Sequence, residues 1–375
     1  MDIEDSRQLL EAVGRFSRER IAGLTARPET PVDTDQLTLL TREACALGIL
    51  PSATTDDGFG VWERCETAPA MAFNTAALRR IACASPGIAF AWHRMALARS
   101  VAMQLGVALE ANDLQGALLV PTGHYGLARS SLATWLRAGA MQRSDKDLLS
   151  DWLDRAANPT TLYAAKNWTN LIWPIWSEDR IAWRHVARKD LDASAGNAQH
   201  GFDELGAFVV CQCPNAASPV SMGMDTSRSV YTRMLKLDML GLLAIGAGAL
   251  DRGRELARDY AALRKQGGKA IAGHPAVQHM LSDVEITRHS VDMALAAFAI
   301  PVDELDIGAI AASRASMSPA LCHAANQVVQ VHGGIGYMRD VGPEKLVRDQ
   351  NMLKLMSGGT REIHLFLAGW TGATM

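Results

Sequence analysis

Apolar residues recur at helical spacing over most of the chain. Leu9, Leu10, Val13 and Phe16 fall on one side of a helix, and Leu37, Leu40, Ala44 and Leu47 on one side of a second. Gly48 and Pro51 punctuate the end of that second helix. The stretch TTDDGFG reads as a loop. After Pro69 the runs ALRRIACA and FAWHRMALARSVAMQLGVAL continue the helical pattern, and no convincing strand stands out before about residue 117. Residues 1–116 therefore predict an N-terminal helical domain.

The texture changes over residues 117–225. Short runs such as GALLVPTG, PTTLYAAKNW, RIAWRHVAR and ELGAFVVCQC are bounded by Gly, Pro, Asn or Asp, as half-buried strands are. Six of the nine tryptophans lie here: Trp135, Trp152, Trp168, Trp173, Trp176 and Trp183. A small β domain is expected. The stretch RSSLATWLRAGAMQRSDKDLLSDWLDRAA is partly helical in pattern and sits awkwardly in it. From 226 to 375 helices return. Val230 to Arg264 reads as one long helix, in which GLLAIGAGAL allows another helix to approach closely. His274 to Phe298 reads as a second, ended by Pro301, and ELDIGAIAASRASMSPALCHAANQVVQ as a third. HGGIG, the short helix EKLVRDQNMLKLM, the break SGGT and the final run REIHLFLAGW follow.

Composition narrows the function classes. The net charge is −3, from 37 basic and 40 acidic residues. That balance favours neither nucleic acid nor an anionic membrane surface. The longest nearly uncharged run, Leu237 to Leu250, is too short to span a bilayer, which takes ~20 apolar residues. The first residues, MDIEDSRQLLEAVGRF, are acidic and hold no apolar h-region. Cys45, Cys65, Cys83, Cys211, Cys213 and Cys322 are scattered, with one C-x-C pair and no zinc spacing. Free thiols in a reducing cytoplasm and no bound metal are the expectation.

Candidate chemistry concentrates in QVHGGIGYMRDVGPEKLVRDQNMLKLMSGGT, Gln330 to Thr360. Two glycine breaks flank a short helix there. Glycine lets backbone approach a ligand, and helix starts favour anions. By spacing alone this is no nucleotide fingerprint, since neither G-x-G-x-x-G nor G-K-[ST] occurs. Plain helix-joining turns account for the pattern equally well.

Taken with its neighbours, however, the segment resembles the C-terminal end of the acyl-CoA dehydrogenase family. The Q-x-x-G-G-x-G-Y run is present as Gln330, Gly333, Gly334, Gly336 and Tyr337, followed by Arg348-Asp349 and by Gly359-Thr360-Arg361-Glu362-Ile363. Upstream, R-x-Q-F-G-K is matched by Arg264, Gln266, Gly268 and Lys269, with Gly267 in place of Phe. The helix–strand–helix order and the REACALGIL stretch fit as well. The resemblance implies an α+β fold: an N-terminal helical domain (1–116), a middle β-barrel-like domain (117–225) and a C-terminal four-helix bundle (226–375).

It also implies FAD and oxidation of an acyl thioester. A carboxylate takes the α-proton while a hydride leaves Cβ for the flavin. By likeness, Arg264, Gln266, Gln330, Gly333 and Gly334 would contact the diphosphate and adenosine side of FAD across a subunit boundary, and Thr360 and Glu362 would lie near the cofactor on its other side. KNWTN resembles the family's K-x-W-I-T-N strand with one residue missing, which makes Trp168 and Thr169 flavin contacts by likeness. A tryptophan of this kind is equally at home in a core. The family's T-E-x-x-A-G-S-D loop is not visible.

The base departs from the common pattern. Many members carry Glu immediately before the G-T turn, where this chain has Gly358. A minority place the base on the preceding long helix, and the corresponding ungapped position, 26 residues before Arg264, is Asp238. Asp238 is thus either the relocated base or a surface or capping carboxylate near a helix start. His93, in AWHRMA, reads as a satisfied core histidine, and His332 borders the glycine turn.

The expected function is an FAD-dependent acyl-CoA dehydrogenase-like oxidoreductase in the cytoplasm. Its substrate is an acyl-CoA or acyl-carrier thioester, its acceptor an electron-transfer flavoprotein or oxygen, and its assembly a homodimer or homotetramer. The alternatives are a flavin-dependent monooxygenase or carrier-protein-linked biosynthetic enzyme on the same fold, and a non-catalytic partner subunit of a heteromeric dehydrogenase.

Overall fold

The computed structural model describes residues 3–25, 32–50, 60–107, 117–118, 126–153, 160–196, 200–211 and 218–372. The TTDDGFG loop except Gly60, most of GALLVPTG, and Cys213 lie outside the described residues.

The first helices are α1 (Ile3–Phe16), a π turn continuing into α2 (Ala22–Leu24), α3 (Thr34–Ala46), α4 (Ala68–Ala84) and α5 (Pro86–Gln104). Their starts have local causes. The Asp33 carboxylate accepts from the amides of Asp35 and Gln36, Thr67 accepts from the amide of Ala70, and Ser85 accepts from Ile88. Pro86 opens α5, where its missing N–H costs nothing.

The middle segment is not purely β. Strand β1 (Ala117–Leu118) is followed by two helices, α6 (Gly126–Leu136) and α7 (Arg143–Leu153), where the sequence pattern was partly helical. Then come β2 (Thr160–Ala164), β3 (Asn170–Ser177), β4 (Arg180–Ala187), β5 (Asp192–Ala195) and β6 (Gly206–Cys211). They form two three-stranded sheets, ordered β1-β3-β4 and β2-β6-β5. β3 escapes the sequence pattern because NLIWPIWS carries Pro174 and is buried on both faces, so it shows no alternation. Pro174 pairs with Trp183 of β4, while β1 pairs only with Leu171 and Ile172 among the described residues.

The C-terminal part holds α8 (Met224–Leu263), the hairpin β7 (Lys265–Gln266) and β8 (Lys269–Ala270), α9 (Pro275–Ala297), α10 (Ile307–His332), α11 (Pro343–Leu355) and α12 (Thr360–Thr371). A short 3-10 turn, Gly333–Tyr337, realises the HGGIG break. α8, α9, α10 and α11 pack as a bundle, and α4 lies along α8. At Gly248 the approach is so close that a Cβ would sit 2.1 Å from the carbonyl oxygen of Arg79. Arg79, on α4, binds Asp251 of α8 (2.5 and 2.8 Å) and Asp292 of α9, tying the N-terminal helices to the bundle.

One apolar core runs through the N-terminal helices, α6, α7 and the bundle; a smaller one, with Leu162, Trp168, Leu171, Trp173 and Phe208, fills the β layer. Cys45, Cys65, Cys83 and Cys322 are free thiols. No helix among the described residues is long and apolar enough to cross a membrane.

Candidate active site

Asp238 lies about four turns into α8 and is fully buried. That removes the surface or capping role and leaves a carboxylate that must be paired. Its Oδ1 faces Nε2 of His93 at 3.1 Å and the Arg94 guanidinium at 3.2 Å, both on α5. Its Oδ2 accepts from the Ser357 hydroxyl, which itself accepts from Arg94 at 2.8 Å. α5 comes this near because residue 241 is glycine: a Cβ there would lie 2.2 Å from the His93 ring.

The far side of His93 fixes its tautomer. The Trp62 indole N–H donates to Nδ1 at 2.8 Å. An indole nitrogen can only donate, so Nδ1 accepts and the proton sits on Nε2, pointing at Asp238. Burial pushes the His93 pKa down, with Asp238 opposing, so the ring stays neutral. His93 is a satisfied core histidine, as its sequence context indicated. For Asp238, burial alone would raise the pKa, but Arg94, His93 and Ser357 together lower it to about 2.

Both ends of this chain of contacts sit on strained backbone. Trp62 has φ +66° and Ser357 φ +57°, left-handed values that cost non-glycine residues energy. Gly358 follows with φ +100°, which suits glycine alone. A Cβ at Gly358 would meet the Arg129 guanidinium at 3.2 Å and the Glu362 Cβ at 3.3 Å. The position where the resemblance places a glutamate thus borders an arginine.

Arg129, on α6, stacks over the Trp152 ring with 4.6 Å from its guanidinium carbon to the ring centre. α6 reaches α12 by close contact at Gly369, where a Cβ would lie 2.4 Å from the Ser130 carbonyl oxygen. Arg314, on α10, donates to the carbonyls of Leu353 and Met356 at 2.7 and 2.6 Å and so holds the turn before Ser357. Burial lowers the pKa of Arg94 and Arg129, and that of Arg314 to about 10; it pushes the Tyr231 hydroxyl up to about 12. Three guanidiniums and a phenol therefore surround one fully buried carboxylate.

The other residues singled out by resemblance lie in two further places. Arg264, Gln266, Gln330, Gly333 and Gly334 are exposed at one end of the bundle. Tyr260, in the last turn of α8, stacks on His332 at the end of α10 with ring centres 4.6 Å apart, which brings the β7–β8 hairpin and the glycine turn to the same end. A Cβ on Gly333 or Gly334 would meet nothing within 4 Å. Thr360 and Glu362 are half-buried at the start of α12, beside Gly358 and Arg129. Trp168 is buried against Phe208 in the β-layer core, ring centres 5.7 Å apart, with Arg188 stacked over it at 4.7 Å. Thr169 accepts from the Asn170 amide and is half-buried.

Sequence reasoning missed Arg94, Arg129, Arg314, Tyr231 and Ser357. A signal existed: Arg94 in FAWHRMALA, Arg129 in GLARSSLATW and Arg314 in AIAASRASM each interrupt an otherwise uncharged helical stretch. A charge in such a stretch requires a buried partner.

The fold and these positions define an acyl-CoA dehydrogenase-type architecture. Full-length structural likeness supports this: the prolyl acyl carrier protein oxidase AnaB superposes with a TM-score of 0.73 at 13% identity, covering 99% of this chain and 100% of that one. Butyryl-CoA dehydrogenase from Megasphaera elsdenii gives 0.71 at 13% identity, over 100% and 99%. Residues 229–369 match the family model described as acyl-CoA dehydrogenase, C-terminal domain. By that domain the chain is a member of the acyl-CoA dehydrogenase family. Among curated relatives, it is 35% identical over 122 residues to 3-sulfinopropanoyl-CoA desulfinase of Paraburkholderia xenovorans strain LB400, covering 32% of this chain and 30% of the relative. It is 33% identical over 138 residues to an acyl-CoA dehydrogenase of Bacillus subtilis strain 168, covering 34% of each. The matched part spans about a third of the length of these relatives.

Proposed function

We propose that the protein is an FAD-dependent oxidoreductase acting on an acyl thioester, with Asp238 receiving the α-proton. The observation that carries this is the single fully buried carboxylate placed beside the glycine turn that opens α12. Membership of the family through residues 229–369 supports the substrate and cofactor classes.

The fit to FAD was tested on the exposed end of the bundle. Gly268 (φ +82°), Gly333 (φ +62°) and Gly334 leave open space where any Cβ would project. The exposed Arg264 side chain makes no hydrogen bond or ion pair among the described residues. Open backbone with a planar fork of donors suits a diphosphate. Arg264, Gln266, Gln330, Gly333 and Gly334 would hold that part of the cofactor of a second subunit, in a homodimer or homotetramer. Thr360, Glu362, Trp168 and Thr169 belong to the flavin-ring side. Bound FAD supplies the hydride acceptor that no side chain can provide.

Asp238 accepts the proton at Oδ2, whose partner is the mobile hydrogen of the Ser357 hydroxyl. Oδ1 stays fixed by His93 and Arg94. With its pKa near 2 the carboxylate remains ionised throughout the neutral range, ready to accept but weakly basic. Release of the Ser357 donor restores basicity. Electrons leave to an electron-transfer flavoprotein or to oxygen.

A second reading, a flavoenzyme of different outcome or one working on a carrier-bound acyl group, is favoured by Gly358 and the arginine against it. The experiment is an absorbance scan followed by anaerobic addition of acyl-CoA. A yellow protein that bleaches, and an Asp238→Asn variant that stays yellow but unbleached, is the expected result. Wild-type reduction rates in Asp238→Asn overturn the base assignment. A yellow protein bleached only by an acyl-carrier thioester selects the second reading, and a colourless one overturns the proposal.

A further inference from the structure

The arginine cluster holds more positive charge and more donors than its own partners use. Arg94, Arg129 and Arg314 lie close enough to Asp238 for each to feel its charge, and all three are buried. Against these three positive charges stand Asp238, fully buried, and Glu362, half-buried beside Arg129. One positive charge is left without a counter-charge in a water-poor interior, which is costly.

The hydrogen-bond inventory points the same way. Arg94 Nε, Arg314 Nη1 and the Tyr231 hydroxyl are all buried and have no partner among the described residues. Each can donate, and two of them can do nothing else. Buried polar atoms are ordinarily satisfied, so an unpaired group calls for a ligand or water. Three unpaired donors around surplus positive charge select an acceptor that is itself negative. The local sign also differs from that of a site with glutamate at position 358, because Gly358 makes room for the Arg129 guanidinium.

We propose that the substrate of this chain carries a second negative group on its acyl portion, a carboxylate or a comparable oxyanion, and that Arg94, Arg314 and Tyr231 bind it beside Gly358. This rests on the thioester reading above and adds the chemical class of the acyl group. It makes Arg314 and Tyr231 specificity-determining residues. Arg94 then has two duties: one nitrogen serves Asp238 and Ser357, and Nε serves the ligand.

The test is calorimetric titration of the protein as isolated with a matched pair, glutaryl-CoA and valeryl-CoA, and with glutarate and inorganic phosphate alone. The expected result is about ten- to hundredfold tighter binding of glutaryl-CoA than of valeryl-CoA, the range of a charge-assisted hydrogen-bond set. Tyr231→Phe, which removes one hydroxyl and keeps the ring, should lower that ratio several-fold. Arg314→Lys should do likewise, and circular dichroism checks that the turn it supports survives. Equal affinities, tighter valeryl-CoA, or no binding of either ester overturns the inference. So does phosphate binding as tightly as glutaryl-CoA, which would mean a site for any small anion. Calorimetry needs no flavin colour. A colourless protein that still prefers glutaryl-CoA overturns the oxidoreductase reading and leaves the anion site standing, whereas a yellow protein bleached equally by both esters does the reverse.

Discussion

The exposed end of the bundle and the buried centre around Asp238 solve opposite problems. At the exposed end, glycines and an unshared guanidinium leave room for something large to arrive from outside. At the centre, glycines serve to bring protein against protein: Gly241 admits the His93 ring, and Gly358 admits Arg129. The same residue type therefore means an opening in one region and a closure in the other. Only the surrounding packing tells them apart, which is why a glycine pattern alone cannot locate a ligand.

The comparison breaks most visibly at Arg94. Arg94→Met leaves Asp238 buried without its cation and should cost about 3–5 kcal/mol, read as a lowered urea midpoint. A variant as stable as the parent would show the centre to be wet and open like the bundle end. Next in size, Asp238 sets an acid limit. Its pKa is lowered on folding, so its contribution is present above the unfolded value near 4 and is lost as pH falls through about 2. The contribution is about 2 kcal/mol and should disappear from the pH dependence of stability in Asp238→Asn. Asp349 has the opposite sign. Burial raises its pKa despite Lys345 at 2.5 Å, so its contribution is full at low pH and fades as pH rises through the raised value. Asp349→Asn should therefore flatten stability above neutrality rather than below it.

Gly241→Ala sharpens the contrast further: its methyl must displace the His93 ring, at about 1–3 kcal/mol in thermal unfolding. Smallest for stability is Arg264→Ala at the exposed end, within about 0.5 kcal/mol. Flavin content per protein should fall all the same, and an unchanged content would detach that end from the cofactor.

Much of this was legible in the sequence. The long α8 and its neighbours follow from apolar periodicity, and the exposed cradle follows from local motifs such as HGGIG, whose residues stand together in the chain. Asp238 was located by register. Its environment was not, because Trp62, His93, Arg94 and Ser357 come from three separate stretches and meet only through tertiary packing. Arg129 was hidden for a different reason: α6 and α7 fall where β structure was expected, so a residue in RSSLATW had no anticipated neighbour. β3 was obscured by its own burial, which removes the alternation by which strands are read.

The clasp of α4 on α8 has a consequence for what counts as a unit. The stretch that matches the family begins at residue 229, yet the surface of α8 around Gly248 is completed by the Arg79 backbone, and Arg79 spans to Asp251 and Asp292. Expressed alone, residues 224–372 would bare a long greasy flank and two orphaned aspartates. The segment recognisable by descent is thus narrower than the segment able to stand by itself, and any truncated version should clump until the first hundred residues are restored.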